Sequence, residues 1–264
     1  MTLKITVLLE NRRRNGSSLR AKAGLSLLVE DGQKTILFDT GPDDSFLHNA
    51  ALLGIDPGAI DVAVLSHGHY DHCGGVAFLP DNTTIICHPD AARERHAALT
   101  LAGRSQRIKK LSLEIDYSRH RMIRSASPVP ISDSTLWSGE ITVARPKAYG
   151  LLDRHGGRPD FIVDEGALVH KSARGLTIIT GCGHRGIVNI VRHCQRITGI
   201  EHVHALIGGF HLRSASPLAI RRIGRFLRAQ NTERIVGCHC TGMWGNIWLS
   251  GRLSSLATGD IITI

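Results

Sequence analysis

Aromatic residues are scarce in this chain. Phenylalanine, tryptophan and tyrosine together make up 5% of it, which leaves few flat surfaces on which the bases of a nucleic acid could stack. No apolar run approaches the ~18 to 20 residues that span a bilayer, so no membrane partner is expected. The opening, MTLKITVLLENRRRNG, sets its apolar stretch before its arginines and reverses the order of a secretory leader; a cytoplasmic protein is expected. The six cysteines, Cys73, Cys87, Cys182, Cys194, Cys238 and Cys240, contain no CxxC pair, the spacing of a zinc knuckle or a redox motif, and do not read as a disulfide framework. No internal repeat and no low-complexity tract is visible.

What the chain has in excess is histidine and positive charge. Fifteen histidines are more than a fold needs. Several stand beside glycine or cysteine in loop-like sequence, where imidazole is available to metals or protons. A formal charge of +9 and a pI near 9.6 favour anionic partners, because summed surface charge concentrates oppositely charged ligands. A phosphorylated metabolite and a nucleic acid both qualify, and on charge alone a solvated basic surface is an equal alternative. At 264 residues with 42% hydrophobic content, one catalytic domain over 1–264 is expected.

Ile5 to Leu9, Leu25 to Glu30 and Thr35 to Phe38 are short apolar runs that read as strands. Asp44 to Leu53 has helical spacing and stops at Gly54, a suitable cap. Asp61 to Leu65 and Thr84 to Cys87 are further strands, and a helix is expected over Ala91 to Ala102. Arg104 to Arg124 carries Arg104, Arg107, Lys109, Lys110, Arg119, Arg121 and Arg124 with few acids, which suggests a basic insertion or cap around 93–160. Strands are then expected at Phe161 to Asp164, Ala167 to His170, Thr177 to Thr180, His202 to Ile207, Ile235 to Val236 and Ile261 to Ile264. Helices are expected at Ile187 to Thr198 and Pro217 to Ala229. Two β-rich halves with helices outside predict an α/β fold, an αββα sandwich.

The chemistry is concentrated in His67-Gly-His69-Tyr-Asp71-His72, set directly after the apolar strand. His67 and His69 can face one metal from a turn while Asp71 and His72 face a second. Neutral imidazoles with a carboxylate suit zinc, iron or manganese. The chance grouping of four polar residues in one loop is the weaker explanation. The flanking glycines supply the backbone freedom that so tight a loop requires.

HxHxDH after a strand, with Phe38-Asp39-Thr40-Gly41 upstream, resembles the metallo-β-lactamase superfamily. The motifs ENRRRNG, GLSLLVEDG, ILFDTG, LSHGHYDHCGGV, TGCGHRGIVNI, IGGFHL and GCHCTG, in this order, are similar to the branch that includes the archaeal dihydropterin–aminobenzene ribosyl phosphate synthases. The resemblance implies the metallo-β-lactamase type of sandwich and two divalent transition-metal ions, foremost zinc. It implies that Asp39 orients the histidine cluster, although alone Asp39 also reads as a turn residue before Gly41. His184, in Thr180-Gly-Cys182-Gly-His184, becomes the third histidine of the first ion, and His239 completes the second. Ordinary hydrolases of the superfamily place a bridging aspartate where this chain has Cys182, which is either a thiolate ligand or a small buried residue. Cys238 and Cys240 flank His239 and read as packing residues. Asp71 and His211 are the candidate catalytic groups, and a loop histidine holding backbone is the other reading of His211. His48, His96, His120, His155, His170, His193 and His204 receive no role.

Arg12, Arg13 and Arg14, with the basic segment, are candidates for holding a phosphate, although a solvated face describes most of these side chains as well. The branch's named reaction joins a dihydropterin methyl diphosphate to an aminobenzene ribosyl phosphate and releases diphosphate; other members hydrolyse small substrates. A metal-dependent hydrolase or transferase acting on a small anionic substrate is therefore expected. A nucleic-acid-processing enzyme ranks second, and a catalytically quiet metal-binding sensor is the third reading.

Overall fold

The computed structural model describes residues 2–101, 104–153, 157–250 and 256–264; His155 lies outside them. A seven-stranded sheet runs in the order β17-β1-β2-β3-β4-β5-β8. Its strands are β1 (Lys4–Leu9), β2 (Ser26–Glu30), β3 (Thr35–Phe38), β4 (Val62–Val64), β5 (Thr84–Cys87), β8 (Arg121–Arg124) and β17 (Ile261–Thr263). A six-stranded sheet, β16-β15-β14-β13-β10-β9, is built from β9 (Val129–Pro130), β10 (Thr135–Trp137), β13 (Ala167–Ser172), β14 (Gly175–Thr180), β15 (Val203–Gly209) and β16 (Arg234–Cys238).

The two sheets face one another, and period-2 alternation explains how. Leu27, Val29, Ile36 and Phe38 meet Trp137, Leu168, Ile179 and Ile207 in the shared core. Leu28 and Leu37 point the other way, onto Phe46 and Ala50 of helix α1 (Ser45–Leu52). On the opposite flank Ile178 and Leu206 pack against Ile190, Val191 and Leu227, from α3 (Ile187–Thr198) and α4 (Pro217–Ala229). The αββα sandwich expected from the sequence is the observed architecture. Strands covered on both faces read as unbroken apolar runs such as TILF and GLTIIT. α3 ends at Gly199, whose φ of 69° is left-handed and suits a residue without a side chain. α4 is capped by Ser216 Oγ, which accepts the Ala219 N–H at 3.2 Å. Two further helices are α2 (Tyr70–Cys73), which carries Asp71 and His72, and α5 (Gly242–Ser250), which follows the segment of His239.

β3, β4, β5 and β8 are parallel, as are β14, β15 and β16. Residues just past the carboxyl ends of β3, β4, β14, β15 and β16 meet in one cleft, the usual place for function in such sheets.

Two expectations are corrected. The helix foreseen over Ala91 to Ala102 is absent. A 3-10 turn at Pro89–Ala92 leads instead into strand β6 (Arg95–Leu101), which joins β7 (Arg104–Lys110), β11 (Gly150–Leu152) and β12 (Arg158–Asp160) in a third sheet ordered β12-β11-β6-β7. Alanine favours helix, but propensity yields to tertiary context, and here pairing on both edges of β6 satisfies its backbone. The pairing needs Gly150, where a Cβ would lie 2.1 Å from the His96 carbonyl oxygen. The strand foreseen at Phe161 to Asp164 is also absent: Asp160 Oδ1 accepts the Ile162 N–H at 2.9 Å, and this local turn, with Ile162 at φ 48°, ends the strand at Asp160. Of the basic segment, β6, β7, β11 and β12 supply the third sheet, whereas β8, β9 and β10 are woven into the two main sheets. Among the described residues no helix is long and apolar enough to cross a membrane.

Candidate metal centre

His67 and His69 leave the end of β4 on either side of Gly68. A side chain at Gly68 is impossible, since its Cβ would stand 1.8 Å from the Ala91 carbonyl oxygen. The Gly68 N–H donates to Asp164 Oδ2 at 2.7 Å, and Asp164 Oδ1 lies 2.9 Å from Nη1 of the buried Arg95. The third sheet thus sends a guanidinium beneath the loop to hold its backbone in place. From the other sheet, Glu165 accepts the backbone N–H groups of His184 and Arg185 at 2.8 and 2.6 Å and fixes the turn after β14.

The ring of His67 lies 4.6 Å from that of His69 and 5.0 Å from that of His184. The candidate ligand atoms of His67, His69 and His184 fall within 4.8 Å of one another, as do those of Asp71, His72 and His239. The structure thus brings together the residues that the sequence reading grouped in two sets. Cys182 falls between them: its Sγ is 3.2 Å from His72 Nε2, and it groups with His67 and His72 and also with His184 and His211.

Hydrogen bonds fix which nitrogen each ring offers. Asp39 Oδ2 lies 2.7 Å from His72 Nδ1 and accepts the Ser66 hydroxyl at 2.7 Å. Since that hydroxyl donates to Asp39, His67 Nδ1, 2.9 Å from Ser66 Oγ, carries the proton and leaves Nε2 free. Asn11 Oδ1 lies 3.0 Å from His239 Nδ1, and Glu10 Oε1 accepts the His239 N–H at 2.7 Å. His67 and His239 are thereby left with Nε2 toward the cleft, and His72, held at Nδ1 by Asp39, turns its Nε2 the same way, the arrangement in which outer partners prepare imidazole for a metal.

Burial, then the neighbouring histidines and Arg95, drive His67 well below the ordinary imidazole range. Burial followed by Arg95 does so for His69, and burial followed by His69 and His211 for His184. His239 is pushed down to about 3, by burial and then by His72. Burial opposes charge on His72 as well, but the Asp39 and Asp71 carboxylates outweigh it and raise this ring to about 9. His67 Nε2, His69 Nε2 and both nitrogens of His184 are buried without a hydrogen-bond partner. Unpartnered buried nitrogens are costly, and neutral imidazoles aimed at a common point fit a divalent ion.

The centre opens into a cavity of about 360 Å³ whose walls include Asn11, Tyr70, Asp71, Tyr149, His211 and Arg213. Three residues here, Asp39, His211 and His239, have left-handed backbone with φ of 49 to 60°. Such conformations persist where surrounding structure enforces them, commonly at functional sites. His211 is brought to the cavity beside His184, ring centroids 4.3 Å apart. His48, His96, His120, His170, His193 and His204 are not among its lining residues.

The arginine triplet is only partly at the site. Arg14 pairs with Asp260 at 2.7 Å and Arg13 donates to the Leu19 carbonyl at 2.8 Å. Arg12 lines an adjoining cavity together with Arg213. The motif ENRRRNG matters here chiefly through Glu10 and Asn11. The reading of Cys240 as a packing residue is corrected: His239 at φ 51° begins a 3-10 turn, so strict alternation fails and Cys240 lines the cavity, whereas Cys238 stays in the core. Sequence reasoning also missed Arg95, Asp164, Glu165, Asn11, Tyr149 and Arg213, which lie outside the histidine motifs.

Residues 19–168 match the metallo-β-lactamase superfamily. The chain is 33% identical over 260 residues to 7,8-dihydropterin-6-methyl-4-(β-D-ribofuranosyl)-aminobenzene-5'-phosphate synthase of Methanocaldococcus jannaschii, covering 91% of this chain and 88% of that protein. An uncharacterized protein of the same organism is 32% identical over 250 residues, with 91% and 92% covered. Among solved structures, a metal-dependent hydrolase of the β-lactamase superfamily superposes with a TM-score of 0.84 at 27% identity, covering 98% of both chains.

Proposed function

The chain belongs to the metallo-β-lactamase superfamily, and from that premise we propose that it is a two-metal enzyme acting on a small phosphorylated substrate, by transfer as in its synthase relative or by hydrolysis. The observation that carries this reading is the set of buried, unpartnered imidazole nitrogens facing a cavity with an arginine on its wall. His67, His69 and His184 would hold one ion, and Asp71, His72 and His239 the other, with zinc foremost and iron or manganese as alternatives. When bound, the ions neutralise charge developing on oxygen and, for hydrolysis, lower the pKa of water toward ~7.

The chain's own groups do the rest. Asp39, Ser66 and Asn11 keep the imidazole Nε2 atoms directed inward. Arg213, which has no ion-pair partner among the described residues, binds the anionic part of the substrate by charge-assisted hydrogen bonds, and Arg12 extends that surface into the adjoining cavity. Tyr149, half-buried against His184 and His211, stays protonated: burial, then Glu165, pushes its phenol up to about 12. Its hydroxyl orients the substrate as a donor. His211, whose Nδ1 has no partner, delivers a proton to the departing group.

The test is diphosphate release by the metal-reconstituted protein from a dihydropterin methyl diphosphate, with and without an aminobenzene ribosyl phosphate. Release that requires the second substrate supports transfer, and release without it supports hydrolysis. Metal bound in the expected ratio with no release from this or a small phosphoester panel would replace the enzyme with the sensor reading.

A further inference from the structure

Three neighbouring parallel strands end at the cleft, and together they bring donor atoms beyond those of the two histidine-carboxylate sets. β14 is followed by Cys182, β15 by His211 and β16 by His239 and Cys240. Cys240 Sγ lies 3.2 Å from the Cys182 carbonyl oxygen and accepts the His211 N–H at 3.3 Å. Cys182 Sγ, Cys240 Sγ and a ring nitrogen of His239 all lie within 4.8 Å of one another. The approach depends on Gly209, where a Cβ would stand 2.8 Å from Cys240 Sγ and 2.2 Å from the Gly181 carbonyl oxygen.

We propose that Cys182 and Cys240 form a pair of sulfur ligands, Cys182 between the two histidine sets and Cys240 on the ion held by His239. The proposal rests on the two-metal reading above. Each thiol loses its proton to solvent as the metal–sulfur bond forms, so uptake releases one proton per sulfur bound. Two soft thiolates select zinc or ferrous iron over manganese and magnesium, which prefer oxygen. The sulfurs thereby do what a bridging carboxylate alone does not: they discriminate among the ions that a histidine cluster accepts.

Cobalt(II) loading of the full chain tests this without reference to turnover. Sulfur-to-cobalt charge-transfer absorption is expected in the near ultraviolet. It should fall by roughly half in Cys182→Ser or in Cys240→Ser, disappear in the double variant, and persist in Cys238→Ala, because each thiolate contributes its own band. Zinc-over-manganese preference should fall by about tenfold in Cys240→Ser, the scale on which a change at a metal site alters affinity. Should a variant fail to fold, alkylation of the wild type gives the same answer: Cys182 and Cys240 are protected with metal and react after chelation. Cobalt bound with only its imidazole spectrum, or labelling of both thiols that is indifferent to metal, overturns the sulfur pair and leaves the two-metal reading standing. Absence of cobalt, zinc, iron and manganese binding overturns both.

Discussion

Arg95 and Asp164 form a buried ion pair whose second carboxylate oxygen accepts the N–H of Gly68: Nη1 to Oδ1 is 2.9 Å, and Gly68 N to Oδ2 is 2.7 Å. A strand of the third sheet is thus tied to the loop between His67 and His69. Asp160 shares the guanidinium at 3.2 Å, so removing the cation strands two buried carboxylates. Arg95→Met is expected to lose about 3–5 kcal/mol of stability, the usual cost of breaking a buried pair, and to lower metal content. Asp164→Asn keeps an oxygen for Gly68 and should retain metal better. Urea midpoints and metal analysis check this; a wild-type midpoint for Arg95→Met would remove the tie from the account.

The ring of His239 is held by Asn11, 3.0 Å from Nδ1. Without that acceptor the ring is free to rotate or change tautomer. Asn11→Ala should therefore weaken metal binding about 10- to 100-fold, as loss of an outer partner does elsewhere. Asn11→Asp, which retains an acceptor oxygen, should weaken it less. His69→Ala should lower metal content outright. Titration with a chromophoric chelator measures all three, and equal affinity in Asn11→Ala and wild type would refute the orienting role.

Most of the layer order was legible because strands buried on both faces are long apolar runs, and α3 and α4 carry their caps beside them. The ligand motifs were legible because HxHxDH and His184 follow such runs closely. What escaped depended on distant pairing. Arg95 stands in alanine-rich sequence whose helix propensity is overridden by β7 and β11, and nothing local shows that Asp160 and Asp164, about 65 residues on, neutralise it. Cys240 escaped because the left-handed backbone of His239 breaks the alternation that was assumed for an extended chain. Arg213 was hidden because only the folded cleft distinguishes it from the chain's other arginines.

If Arg213 holds the anionic end of the substrate, Arg213→Ala should raise KM about tenfold with a smaller loss in kcat, the pattern of a contact used equally in ground and transition states. Arg13→Ala and Arg14→Ala, whose side chains are engaged elsewhere, should change KM little. Rising salt should raise the wild-type KM, because screening shortens the range of the attraction. A KM indifferent to both salt and Arg213 would argue for an uncharged substrate.

Asp31 joins the two sheets at the edge away from the candidate metal centre. Its Oδ2 accepts the hydroxyls of Ser132 and Thr135, both at 2.6 Å, and its Oδ1 accepts the N–H groups of Gln33 and Lys34 at 2.9 and 2.7 Å. Burial opposes the charge, but these four hydrogen bonds outweigh it and hold the carboxyl below its ordinary 3.8. A group whose folded pKa is depressed stabilises fully above the unfolded value and loses that contribution as pH falls through the folded one. At neutral pH Asp31→Asn should cost about 1–3 kcal/mol, the range for a buried charge-assisted contact. As pH drops below 3.8 the wild type takes up a proton at this site on unfolding, so the difference between the two proteins should shrink. Chemical denaturation of both at pH 7 and near pH 3 measures it. A difference that stays constant would show that the loss comes from packing rather than from the ionised carboxylate.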